Sequence, residues 1–146
     1  MASGNARSLA LRMAQQYFGS GAFKFMLTTG VPSDAQLDSW ATRSQVTNEH
    51  AATGGYTAGG FAVTVESVTL DAENNRAVVE FSVADPALSD VTLAGVVGGW
   101  LYKAVGSAAT DELCSFVDYG SAKGVTNGNF RRNVRVAPKL LLNMDR

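Results

Sequence analysis

Apolar and polar side chains alternate at every second position along most of this chain from residue 22 onward, and that period commits the bulk of it to half-buried β-strands. Phe23, Phe25 and Leu27 alternate with Lys24, Met26 and Thr28, which predicts a strand with one buried face. Phe61, Val63 and Val65 share one side, whereas Val68 and Leu70 carry the pattern on with its phase moved by one. Such a slip predicts a β-bulge near Glu66 and Ser67. "DAENNR" has the residues of a hairpin turn, and "RAVVEFSV" returns with Ala77, Val79, Phe81 and Val83 on one side. An apolar run containing glycines spans Val91 to Ala104, Glu112 to Tyr119 predict a further strand, and "GSAKGVTNGN" predicts a turn. "FRRNVRVAP" alternates again, and "KLLLNM" closes the pattern.

Helical spacing occurs at the start. Leu9, Ala10, Met13, Ala14, Tyr17 and Phe18 fall on one stripe between residues 5 and 18, and "GSG" ends it at Gly21. Val31 to Gly60 form a long polar connection in which Ser33 is placed to cap a short helix through Leu37 and Trp40, with Trp40 pinning it to the body. The expected architecture is therefore mainly β: an antiparallel sandwich or sheet over about 22–142, one N-terminal amphipathic helix at about 5–18, and a long loop at 31–60 that can carry a short helix. Nothing alternates strand with helix as a doubly wound sheet requires. A chain of 146 residues suits one domain, 1–146, with a core that needs neither metal nor disulfide.

Composition narrows the classes of function. Charged residues make up 17% and hydrophobic ones 46%, an unusually uncharged balance that suits a surface packed against other proteins. No apolar run is long enough to span a bilayer, and polar residues interrupt the N-terminal apolar ones, so no membrane association is expected and the protein reads as made in the cytoplasm. Charge is unevenly distributed: residues 1–122 carry six Lys or Arg against twelve Asp or Glu, while 123–146 carry six against Asp145 alone. With acid elsewhere, this basic end argues against a nucleic-acid binder and for contact with an acidic protein surface.

"TNEHAATGGYTAGGFAVTV" looks most like an active site. Gly54 and Gly59 have the separation of a phosphate-cradling loop, but Gly60 and Phe61 stand where the lysine and hydroxyl residue would be, and a strand follows instead of a helix. Gly54, Gly55, Gly59 and Gly60 are read as loop formers that permit positive φ and close backbone approach where the chain enters a sheet. Asp71, Glu73 and Asn75 begin like a calcium loop, but Arg76 replaces the turn glycine and Ser82 the closing glutamate. His50 and Cys114 are the only residues of their kinds and lie in different segments; Cys114 reads as a small hydrophobe on a strand. Asp111 and Glu112 are adjacent and so make a poor acid–base pair. The expectation is a protein that is not an enzyme, with no catalytic residue, metal, cofactor or small-molecule substrate.

The order of "KFMLTTG", "TNEHAATGGYTAGGFAVTV", "GGWLYKAVG", "LCSFVDYG" and "TNGNF" resembles that of a family of small virion structural proteins of tailed bacteriophages, over about residues 23–136. "GYTAGG", Gly55 to Gly60, is its most distinctive element; the N-terminal helix region compares loosely, and the basic "NFRRNVRVAPK" departs from the family pattern. The resemblance implies a structural component of the particle, assembled in many copies from chains made in the host bacterial cytoplasm. A capsid-surface cement or decoration protein is the expected role, with the major capsid protein and copies of itself for partners, a trimer being one form of that self-association. A tail or head–tail connector is the alternative. A sugar-binding tail-fibre module using Trp40, Trp100 and Tyr56 as stacking faces is the third reading. Interface candidates are Arg7, Arg12, Arg131, Arg135 and Lys139, chosen because arginine makes bidentate contacts to carboxylates, and the 31–60 loop is a second contact element.

Overall fold

A computed structural model of the chain describes residues 7–74, 76–84, 86–130 and 139–143. The fold is mainly β, as the alternation predicts. One helix, α1 (Arg7–Phe18), precedes β1 (Ala22–Thr28); a short helix, α2 (Asp34–Ser39), and a 3-10 turn at Arg43–Gln45 interrupt the long connection. Then follow β2 (Phe61–Asp71), β3 (Arg76–Ser82), β4 (Leu88–Ala104), β5 (Glu112–Phe130) and β6 (Lys139–Asn143). The strands form one sheet in the order β5-β4-β1-β2-β3-β6, antiparallel at every pairing.

The sheet curls, so that Val79 and Phe81 of β3 and Val91, Leu93 and Val96 of β4 belong to a single core. α1 lays Ala10, Ala14 and Phe18 on that core, a line at four-residue spacing narrower than the stripe read from the sequence. Met13, at the flank of that line, is 57% exposed. Phe18 stacks on Phe23 at 5.2 Å, and both meet the edge of Phe81. Burying these rings is the main source of helix docking, since each fully buried aromatic side chain contributes on the order of 2–3 kcal/mol.

Two expectations need correction. β1 is buried on both faces, not one: Met26 and Thr28 are as inaccessible as Phe25 and Leu27. Met26, Trp100 and Tyr102 form a second core on the opposite face, roofed by Trp40 and Val46 of the long connection. Alternation along one strand reports which side chains share a face and is silent about a loop that returns to cover the other. The second correction concerns "GSAKGVTNGN", which does not turn the chain. β5 runs through it, pairing with β4 from Lys103↔Glu112 to Leu88↔Phe130 with repeated register shifts, and Gly120 and Asn127 take positive φ within it. Positive-φ residues serve bulges as readily as turns.

The phase slip in β2 is real: register with β3 shifts between Val65 and Ser67. The Asp71–Arg76 hairpin closes as expected, with the Asp71 carboxylate accepting from Asn74 and from Arg76 Nε at 2.9 Å. Those bonds hold the Asp71 carboxyl below its ordinary value, the Asn74 side chain contributing most. At α2, Ser33 caps the helix and Gln36 reaches back to the Ser33 N–H at 2.9 Å, a complete capping box. Ser33→Ala is expected to lose about 1 kcal/mol of local stability. Amide exchange at Gln36 and Leu37 checks this: it should speed several-fold while the exchange of β4 amides stays unchanged.

Candidate functional site

The "TNEHAATGGYTAGG" segment is the place where the connection crosses the sheet. β1 pairs with β2 only over Phe23–Phe25, and beyond that the 48–60 segment takes the place of β2 alongside β1. Thr29 N–H donates to the Asn48 carbonyl at 2.9 Å, His50 N–H to the Leu27 carbonyl at 2.9 Å, and Thr28 bridges Glu49. Tyr56 completes the substitution with a side chain: its hydroxyl accepts from Leu27 N–H at 2.9 Å and donates to Glu49 Oε1 at 3.1 Å. The same Glu49 oxygen accepts from Gly59 N–H, and the Gly59 carbonyl accepts from the Tyr102 hydroxyl, both at 2.5 Å. Glu49, Tyr56, Gly59 and Tyr102 thus clasp the loop to β1 and β4.

All four glycines singled out in the sequence have positive φ: 61° at Gly54, 90° at Gly55, 91° at Gly59 and 79° at Gly60. Gly60 is the most constrained, because a Cβ there would fall inside the contact radius of the Phe25 carbonyl oxygen and crowd the Phe25–Met26 peptide. The Gly54 carbonyl accepts from Thr92 N–H at 2.7 Å, tying the loop to the outer half of β4. His50 ties it there again. Its Nε2 faces Ala94 N–H at 3.5 Å and its Nδ1 faces the Ala51 carbonyl at 2.8 Å. A backbone N–H can only donate, so Nε2 is the unprotonated nitrogen and Nδ1 carries the proton. The ring also packs edge-on against Tyr56 at 5.5 Å.

A second polar cluster fixes the other end of the connection. Asp111, 3% exposed, accepts from Val105 N–H at 2.7 Å and Gly106 N–H at 3.2 Å through Oδ1, and pairs with Arg43 Nε at 2.8 Å through Oδ2. Burial alone would raise its pKa; the Val105 N–H, the Arg43 guanidinium and the Gly106 N–H together outweigh that and hold it below the ordinary carboxylate value. Arg43 also lies 5.4 Å from the centre of the Tyr102 ring, and burial lifts the Tyr102 phenol to about 12. Sequence reasoning weighed Asp111 only as half of an acid–base pair. Its role as a turn cap had one legible signal, an acidic residue directly after "GSAAT".

Cys114 and His50 are engaged with different partners. Cys114 Sγ contacts the Tyr17 hydroxyl at 3.7 Å, and burial is the main reason its thiol is pushed up, away from the thiolate form. Tyr17 donates to Glu112 at 3.0 Å, and burial raises its pKa as well. Lys103 donates to the Tyr17 carbonyl at 2.6 Å and sits over the Tyr17 ring at 4.3 Å, anchoring the end of α1 to β4.

Tyr56 is 3% exposed and Trp100 4%, so neither offers a face for a sugar to stack on; only Trp40 is half-buried, and it packs on Trp100 at 6.3 Å. The expectation of exposed stacking faces on these three residues is therefore corrected: Tyr56 belongs to the main core, Trp100 to the second core, and Trp40 roofs the second core. Of the basic interface candidates, Arg12 is exposed on α1, Arg7 opens α1 and Lys139 opens β6, while Arg131 and Arg135 lie outside the described residues. Among the described residues, no helix is long and apolar enough to cross a membrane, and no three His, Cys, Asp or Glu cluster to hold a metal ion. Comparison of the chain with protein-family models, with curated proteins and with solved structures finds no match.

Proposed function

We propose that this chain is a structural protein of a tailed-phage virion, acting as a capsid cement or decoration protein that binds the major capsid protein. The observation that carries the reading is the clasp. Around the most distinctive motif of the resemblance, Gly55 to Gly60, the polar groups of Glu49, Tyr56, Gly59 and Tyr102 bond to one another and to the Leu27 N–H. A loop so used is a rigid surface element, and rigid elements lose little conformational entropy when they dock. Repeated over a shell, modest contacts of this kind act together to hold neighbouring capsomers. Self-association about a local symmetry axis fits the same station.

The basic end supplies the charge contact in this reading. Arg131→Ala combined with Arg135→Ala is expected to weaken binding to shells by about tenfold at low salt, the equivalent of about 1.4 kcal/mol. The variant should also respond less to added salt than the parent does. Unchanged binding and an unchanged salt response would remove these arginines from the interface. The reading as a whole is tested by quantitative mass spectrometry of purified particles. Copy number in proportion to the major capsid protein supports a shell station, a number matching one or a few rings supports the connector alternative, and absence from particles rejects both.

A further inference from the structure

The sheet has a gap between β1 and β2. β1 begins at Ala22 and pairs with β2 only as far as Val63, so the edge of β2 that faces away from β3 has no strand beside it beyond Thr64 among the described residues. The chain bends away there through Gly19–Gly21 into α1, with Gly21 at φ 90°. Between that bend and β2 lies a groove of about 530 Å³ walled by Gly19–Phe23 on one side and Ala62–Val68 on the other. The pair Phe23↔Val63 closes its inner end, and no β1 residue pairs with β2 past Val63 among the described residues.

We infer that this groove is a β-augmentation site, taking an extended peptide segment of a partner protein that alternates apolar and basic residues. Three features point to that occupant. Unpaired strand backbone is satisfied by another extended backbone, and the Thr64–Val68 edge, roughly 15 Å at strand rise, matches four or five residues of one. The inner part of the groove is apolar, with Phe18, Phe23 and Val65 among its residues, so alternate side chains of the peptide have a place to bury. Glu66 is the one charged residue that lines the groove, while Lys103, against Gly21, has its ammonium engaged by the Tyr17 carbonyl at 2.6 Å. Glu66 stands at the bulge, between Val65 and Ser67, and its carboxylate accepts from the Ser82 hydroxyl. A basic residue between apolar ones would meet that carboxylate while its neighbours enter the apolar groove.

The test uses the full chain and three synthetic peptides: acetyl-Ser-Val-Arg-Val-Arg-Val-Ser-amide, the same with Glu for Arg, and the same with Pro for the central Val. Binding is read by fluorescence anisotropy and by amide exchange at Thr64–Val68. The expected result is saturable binding of the Arg peptide with slowed exchange at those amides, at least tenfold weaker binding of the Glu peptide, and none of the Pro peptide. Glu66→Lys should reverse the preference between the Arg and Glu peptides, and Ala62→Trp, at an exposed position in the groove wall, should abolish binding while leaving the unfolding transition in place. Equal binding of all three peptides, or binding without protection of these amides, overturns the inference. So does protection of the same amides before any peptide is added, with light scattering showing a dimer, because a second copy would then be the occupant. The isolated chain is used throughout, so failure here leaves the virion reading untouched.

Discussion

Replacing Gly60 with alanine is expected to lower the unfolding free energy by about 3 kcal/mol, the largest effect of any single methyl group added to this chain. Part of it is local: at φ 79° an L side chain meets its own carbonyl, at a cost of about 1–2 kcal/mol. The rest is tertiary. The new Cβ would lie within contact distance of the Phe25 carbonyl, so either β1 or the loop must move, and overpacking of that kind costs about 1–3 kcal/mol. Gly95 separates the two terms, because it has φ 68° and nothing near its missing Cβ. Gly95→Ala should therefore show the local part alone, about 1 kcal/mol. Urea unfolding of both variants checks this, and equal losses would mean that close approach to β1 contributes nothing.

Asp111→Ala is the second large effect, an expected loss of about 3 kcal/mol at neutral pH. It strands the N–H groups of Val105 and Gly106 and leaves Arg43 without its carboxylate. The pH dependence has a definite sign. Asp111 has a folded-state pKa below its unfolded value of about 3.9, so its stabilisation is fully present above that value and is lost as pH falls through the folded pKa. Asp71 acts in the same direction at the exposed hairpin. The parent should therefore lose stability below about pH 4, and Asp111→Ala should show a shallower loss over that window. An acid transition of the same steepness in both would show that Asp111 is not a stabilising carboxylate.

The local features of this fold were legible in the sequence because local chemistry determines them. Ser33 and Gln36 stand at capping-box spacing, and they form one. The missed alternation after Val65 could mean only an inserted residue, and the register shifts there. What the sequence concealed depends on segments far apart in the chain. Nothing within "AFKFMLT" says that Trp40 and Val46 will cover Met26, so the second core was invisible from β1 alone. The glycines of "GSAKGVTNGN" were legible as sites of positive φ but not as bulges, since only pairing with β4 distinguishes a bulge from a turn. The clasp was half legible. Its four glycines announced an unusual backbone, but the roles of Glu49, Tyr56 and Tyr102 arise from a loop and two strands meeting at one place.

Packing and hydrogen bonds within the chain explain why the motif at Gly55–Gly60 and the residues around it are what they are, and in the proposed reading the surface carries the function. That division is tested most directly by mixing the purified chain with emptied shells that lack it and separating bound from free protein by sedimentation. The account predicts saturable binding in fixed proportion to the capsid subunits, with shells that then resist heat or osmotic rupture better than bare ones. No association with shells, in the presence of correctly folded protein, would contradict it.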